Sequence, residues 1–146
     1  ILMLSSLIFA ASFLLCALDF RFGWSAVPAW LSTTACAVFL LAYAGFAELL
    51  RENEYLSRSV ELQAGQKVVS TGMYGIVRHP MYAVIIWLFL SMPLILGSYI
   101  GLIPLAFIPY VLVKRLLNEE KLLRGGLDGY DGYMQKVRYP LIPFIW

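Results

Sequence analysis

Two polar clusters interrupt an otherwise apolar chain, and both carry residue types that hold charged groups. The first is Thr71-Gly72-Met73-Tyr74-Gly75-Ile76-Val77-Arg78-His79-Pro80-Met81-Tyr82, and the second is Lys114-Arg115-Leu116-Leu117-Asn118-Glu119-Glu120. Pro80 suits the first turn of a helix and pushes His79 toward an extended backbone, so His79 is expected in a helix mouth beside free backbone N–H groups. Arg115 and Glu119 stand four residues apart and share one helix face. The competing reading is purely structural. Arg and His at helix ends snorkel to headgroups, and a Glu-Glu-Lys run is commonly a solvated face, and composition alone favours that reading over a catalytic site.

Several chemistries are disfavoured by what surrounds these residues. His79 is the lone histidine and has no Cys or His partners at metal-ligand spacing, so no zinc or other metal is expected. No Ser-His-Asp arrangement or Gly-rich phosphate cradle is evident. Gly65, Gly72 and Gly75 do not follow a strand in a βαβ unit, which excludes a dinucleotide fingerprint. Cys16 and Cys36 both fall in apolar stretches and read as small buried hydrophobes, not as a disulfide frame.

The elements that must position the clusters follow from composition. The chain has 146 residues, the scale of one domain. It is 61% hydrophobic and 14% charged, where a soluble chain averages roughly 25% charged residues. Mean hydropathy is +0.77. That balance excludes a disordered chain and leaves too little polar surface to cover a small soluble core. A net charge of +2 with no polybasic run argues against a nucleic-acid partner. An integral membrane protein is expected.

Residues 1–18 carry no charge and just reach the ~20 apolar residues that a bilayer crossing needs. The chain opens on Ile1 without an initiator Met, which reads as a trimmed start. No basic n-region precedes the apolar run, which argues against a cleaved signal. Asp19-Phe20-Arg21-Phe22-Gly23-Trp24 reads as an interfacial polar and aromatic turn, and residues 23–47 form the second uncharged run. Residues 51–79 are the one long polar connection. Residues 80–113 are uncharged, too long for one perpendicular crossing and slightly short for two, and Gly97-Ser98 near the middle suggests a tight helical hairpin. The polar tail 118–146 ends on Leu141-Ile142-Pro143-Phe144-Ile145-Trp146, which is expected to return to the membrane surface. The fold class is therefore all-α: a polytopic membrane protein with about four transmembrane helices and a short cytoplasmic C-terminal helical tail.

Of the 11 Lys and Arg residues, all but Arg21 fall on the side of the 51–79 connection and the tail, so the positive-inside rule makes that side cytoplasmic. The hairpin then joins the two clusters. His79 lies 18 residues before Gly97 and Arg115 lies 17 after Ser98, which places both about 27 Å from the turn at ~1.5 Å per residue. His79, Tyr82, Arg115 and Glu119 are expected to meet at the cytoplasmic end of one antiparallel pair. Spacing predicts a polar pocket there and does not say what it binds.

The same residues carry a resemblance. Val68-Val69, Gly72-Met73-Tyr74 and Arg78-His79-Pro80-Met81-Tyr82 precede the hairpin. Arg115-x-x-x-Glu119-Glu120-x-Leu122-Leu123, Tyr130-x-x-Tyr133 and Val137-Arg138-Tyr139-Pro140 follow it. This pattern resembles the isoprenylcysteine carboxyl methyltransferase family, membrane methyltransferases that use S-adenosylmethionine and are related to phospholipid methyltransferases. Phe22-Gly23-Trp24-Ser25 and the Ile142-Pro143-Phe144-Ile145-Trp146 ending look like the bacterial branch. The likeness covers roughly residues 19 to 146. Arg-His-Pro-x-Tyr alone is moderately specific; joined to Arg-x-x-x-Glu-Glu across an apolar hairpin it is strong.

The resemblance implies a bacterial cytoplasmic-membrane enzyme with its active site at the cytoplasmic face. Two N-terminal transmembrane helices would occupy 1–50 and a cofactor-binding catalytic core 51–146. It implies that Gln66, Lys67, Val68 and Val69 line the cofactor, that Tyr74, His79, Pro80, Met81 and Tyr82 continue that pocket, and that Glu119 contacts the cofactor. Arg115 would face the substrate, a lipophilic small molecule or lipid-linked methyl acceptor, and would share the catalytic role with Glu119. Val84 departs from the family, which often has Gly there, and this bears on pocket width. An acceptor carboxylate is the first expectation. Alternatives are an amine acceptor, with Glu119 or Glu120 as base, a sterol-reductase-like enzyme using NADPH, and a non-enzymatic accessory protein. Sterol reductases share an Arg-His-Pro-type motif but are usually much longer.

Overall fold

Every regular element is helical among the described residues, which in the computed structural model are 2–56 and 64–146. Helix α1 spans Leu2–Phe22 and α2 spans Ala29–Glu52. Both are long and apolar enough to cross a membrane, and only 17% of the most apolar window of each is buried inside the protein. Leu7, Leu14, Phe20, Trp30, Leu40 and Leu41 lie open on their outer faces. A soluble protein rarely carries such a surface, whereas a lipid-facing helix requires one.

One face of α1 turns inward. Ser12, Cys16 and Asp19 are buried, at a spacing of four and three that puts them on one helix face. Ser12 Oγ donates to the Gly101 carbonyl at 2.7 Å, and the Cys16 sulfur lies so close to Gly101 that a side chain there would collide with it. Asp19 belongs to the last turn of α1 and not to the interfacial turn expected from sequence. It is drawn in because its carboxylate accepts from Ser25 N at 2.7 Å and from the Ser25 and Ser98 hydroxyls at 2.5 Å each. Cys36 corrects another expectation: it is exposed on α2, on the same open face as Thr33, Leu40 and Tyr43.

Helix α3 spans Pro80–Ile95, with Pro80 at its first turn and His79 as its N-cap. It runs antiparallel to α2, since Ser32 Oγ donates to the Leu94 carbonyl at 2.9 Å and Gly45 lies against Val84. In lipid, close van der Waals packing over small residues holds such a pair, because the surroundings are as apolar as the side chains. Gly97, with φ +80°, turns the chain after α3. The return path is interrupted: α4 covers only Leu102–Leu105, and α5 starts at Ile108 and runs to Gly126. Pro104 and Pro109 lack the N–H that an unbroken helix would use there.

Helix α5 presents Ile108, Leu112 and Leu116 at four-residue spacing to Tyr82, Leu105 and Leu141, with Ile85, Ile86 and Phe89 around them. Its polar half continues past Val113 to Gly126. Gly129, with φ +83°, then reverses the chain into α6, Tyr130–Lys136, whose Tyr130 and Tyr133 pack with Leu123 and Val137. Main-chain bonds fasten the following segment to the start of α3: Arg78 N donates to Tyr139 O and His79 N to Pro140 O, each at 2.9 Å.

Candidate active site

A crevice opens where the start of α3, the polar half of α5 and α6 converge. Its free space, open solvent at the mouth included, is about 810 Å³. Gln66, Lys67, Val68 and Val69 form one wall, and Tyr74, His79, Met81, Tyr82 and Glu119 continue it. Every residue that the sequence suggested for cofactor binding therefore lines one cavity, with the exception of Pro80. Pro80 is buried, and its ring serves α3 as a helix start.

Tyr82 and Glu119 meet Arg115 at the inner end. Tyr82 Oη donates to Glu119 Oε2 at 2.5 Å and accepts from Arg115 Nε at 3.2 Å. The four-residue spacing of Arg115 and Glu119 turns both toward the same hydroxyl. Arg115 is not among the described residues that line the crevice; its guanidinium is joined to it through the Tyr82 hydroxyl.

Glu120 takes a different part. Its Oε1 lies 2.6 Å from Arg78 Nε and 3.3 Å from His79 Nε2, and the Arg78 and Glu120 side chains are only 8% and 12% exposed. Burial pushes the Glu120 carboxyl up, but the hydrogen bonds from His79 and Arg78 and their positive charge outweigh it, so the group sits below its ordinary value. Arg78 also spends Nη1 on the carbonyls of Val137, at 3.0 Å, and Arg138, at 2.7 Å. One guanidinium thus ties α5 to the segment after α6. His79 stands in the helix mouth as expected, the N-cap of α3, but its side chain makes no cap hydrogen bond; it faces Glu120 and approaches the Tyr130 hydroxyl at 3.5 Å.

Sequence reasoning missed a second set of lining residues. Asn53, Tyr55 and Leu56 enter from the end of α2, Leu122, Leu123 and Leu127 from α5 and its exit, and Tyr130 and Tyr133 from α6. Asn53 Nδ2 donates to Tyr74 Oη at 3.0 Å, and Tyr133 Oη donates to the Tyr74 carbonyl at 2.6 Å, so Tyr74 is fixed from both sides. Burial raises the Tyr74, Tyr130 and Tyr133 phenols, with nearby negative charge adding to it. They remain neutral hydrogen-bond donors across the physiological range. The Tyr130-x-x-Tyr133 spacing, which places both rings on one helix face, was the available signal.

The arrangement offers a carboxylate beside aromatic faces for a cation, and a guanidinium one hydroxyl away for an anion. Val84 is not among the lining residues; it points at Gly45 of α2, 3.7 Å from where a side chain at that position would begin.

The profile of the isoprenylcysteine carboxyl methyltransferase (ICMT) family matches residues 30–125, which contain the 66–82 wall and the Arg115–Glu120 cluster. No curated protein matches the chain. The match covers about two thirds of the sequence, and the chain belongs to the isoprenylcysteine carboxyl methyltransferase family, a family of membrane methyltransferases.

Proposed function

We propose that the chain moves a methyl group from S-adenosylmethionine to a lipophilic acceptor, most simply a carboxylate as in isoprenylcysteine O-methylation. The observation that carries this reading is the Tyr82 hydroxyl, which joins a crevice-lining carboxylate to a guanidinium outside the crevice. The residues present fit the cofactor. Glu119 can neutralise its sulfonium or ammonium, and the faces of Tyr74, Tyr82 and Tyr130 can hold adenine or shield positive sulfur. The cofactor supplies, when bound, an electrophilic methyl on a positively charged sulfur.

The remaining work belongs to the chain. Arg115 clamps the acceptor carboxylate, and the Tyr82 hydroxyl fixes Arg115 relative to Glu119. A carboxylate is ionised at pH 7 and requires no base, so alignment and water exclusion by Tyr74, Tyr130 and Tyr133 make up the catalysis. An amine acceptor would have to lose a proton. Glu120 is engaged by Arg78 and His79, and Glu119 accepts from Tyr82, which favours the carboxylate over phospholipid or other amine acceptors.

In this reading α1, α2, α3 and the α4–α5 return cross the bilayer, with 1–50 forming the two N-terminal helices and 51–146 the catalytic core. The concentration of Lys and Arg in the 51–79 connection and the tail supports a cytoplasmic crevice, in a bacterial cytoplasmic membrane. The decisive experiment is calorimetric titration of the purified protein with S-adenosylhomocysteine. One saturable site is expected. Absence of binding, or preferential binding of NADPH, overturns the reading. Transfer of labelled methyl from the cofactor into a lipid extract then identifies the acceptor among isoprenoid acids, lipids and thiol-linked hydrophobic acids.

A further inference from the structure

The segment after α6 closes into a small hook that leaves its apolar side chains uncovered. Leu141 N and Ile142 N both donate to the Trp146 carbonyl, at 3.1 and 2.5 Å, while Ile145 N and Trp146 N return to the Ile142 carbonyl at 3.2 and 3.1 Å. Phe144 at the bend has φ +65°, a left-handed conformation that bulky residues rarely adopt. The closed loop holds it there, and it turns Phe144 and Ile145 outward at 86% and 77% exposure. Leu141 does the opposite. It is buried in the cluster that holds Leu112, Leu116 and Tyr82.

That contact fixes the height of the hook. Leu112 and Leu116 flank Val113, the last residue of the uncharged run, and Lys114 and Arg115 follow it. The main-chain bonds from Arg78 and His79 fasten Tyr139 and Pro140 to the start of α3, the other end of the same run. The hook therefore sits where apolar helix gives way to charged residues. Lys136 and Arg138, both exposed, precede it, which suits an anionic headgroup layer above an apolar one.

We infer that the 141–146 hook is an interfacial anchor whose Phe144 and Ile145 enter the acyl region of the cytoplasmic leaflet, with Leu141 as its root in the protein. Aromatic residues at the membrane–water boundary and basic residues just outside it are the expected partners of such a layer. The anchor would hold the segment that Arg78 binds, and with it the Tyr130 and Tyr133 wall, at a set depth. The inference rests on the transmembrane reading of residues 80–113 and is independent of methyl transfer.

Nitroxide labels test it. Cys16 and Cys36 are replaced by Ala, and single cysteines are placed by Ile145→Cys, Asp128→Cys and Tyr110→Cys in protein reconstituted into phosphatidylcholine vesicles containing one quarter phosphatidylglycerol. Accessibility to oxygen and to a water-soluble nickel chelate gives depth. Labels at 145 and 110 are expected to favour oxygen, and the label at 128, in the exposed α5–α6 connection, to favour nickel. Nickel accessibility at 145 equal to that at 128 overturns the anchor, as does shielding of 145 from both reagents, which would indicate a protein partner or a second copy. Nickel accessibility at 110 overturns the crossing itself and the anchor with it. None of these outcomes touches cofactor binding, which calorimetry on the same protein reads separately.

Discussion

The Tyr82 hydroxyl stands between Glu119 and Arg115, donating to the carboxylate at 2.5 Å and accepting from the guanidinium at 3.2 Å. Tyr82 is 2% exposed and fills the core between α3 and α5, so its ring is held while its hydroxyl bridges two charged groups. Tyr82→Phe preserves the packing and removes both bonds. Hydrogen bonds to charged groups contribute about 1.5–3 kcal/mol each, so losing both is expected to lower kcat/KM by about 10²- to 10⁴-fold and to lower the melting temperature as well. Steady-state kinetics beside a melting curve checks this.

The same geometry separates two roles. Glu119 lines the crevice and Arg115 does not. Glu119→Gln is expected to weaken S-adenosylhomocysteine binding by about tenfold, the worth of one charge-assisted contact. Arg115→Ala is expected to leave that affinity intact and abolish turnover. Calorimetry and methyl-transfer assays on both variants decide it, and equal loss of binding in the two would defeat the division.

The Arg78–Glu120 pair gives a stability prediction. Removing one partner of a buried pair costs about 3–5 kcal/mol, whereas the exposed Arg51–Glu48 and Arg124–Asp131 pairs are worth about 0–1 kcal/mol. Glu120→Gln should destabilise the fold and loosen the segment after α6, while Glu48→Gln should be nearly silent. The pH dependence has a definite sign. The folded Glu120 carboxyl sits below its ordinary value of 4.5, so its contribution is complete above that pH and is lost as pH falls through the lower folded value. Unfolding measured between pH 7 and pH 3 should show an acid limb that Glu120→Gln flattens.

Legibility followed the range of the interactions. The apolar runs set α1, α2 and α3, and the four-residue Arg115–Glu119 spacing set their common face. The 66–82 residues were legible through a motif. What escaped came from distant chain segments. Arg78 was legible only as part of the Arg-His-Pro motif; its acceptors on Val137 and Arg138 lie 59 and 60 residues away, and no local period encodes them. Asn53 and Tyr55 reach the crevice only because α2 runs antiparallel to α3 and delivers its end there. The return from α3 was expected as a tight hairpin; Pro104 and Pro109 break it into α4 and α5, a local signal that the uniform hydropathy of the run obscured.

At the opposite end from the crevice, Asp19 accepts from Ser25 twice and from Ser98 once, joining the α1–α2 connection to the α3–α4 connection. Asp19→Ala leaves the buried Ser98 hydroxyl without its carboxylate acceptor and releases the half-buried Ser25 that Asp19 holds in the α1–α2 connection. A drop in melting temperature with unchanged S-adenosylhomocysteine affinity is expected, since no Asp19 partner lines the crevice. Loss of affinity together with stability would show that the two ends are coupled.

Val84 provides the sharpest comparison between sequence and structure. Its position bore on the width of the pocket, because a Gly there would allow closer backbone approach. The side chain instead packs toward Gly45 and borders an apolar groove with Val38, Leu41, Ala42 and Trp87, on the α2 side of α3 and away from Tyr82. Val84→Gly should therefore leave S-adenosylhomocysteine affinity within about twofold. It should lower stability through lost packing on α2 and the ~1 kcal/mol cost of Gly inside a helix. Titration calorimetry and thermal unfolding of that one variant separate the two explanations: a tenfold gain in affinity would mean that Val84 does set the width of the crevice, whereas a lower melting temperature alone assigns it to the α2–α3 contact.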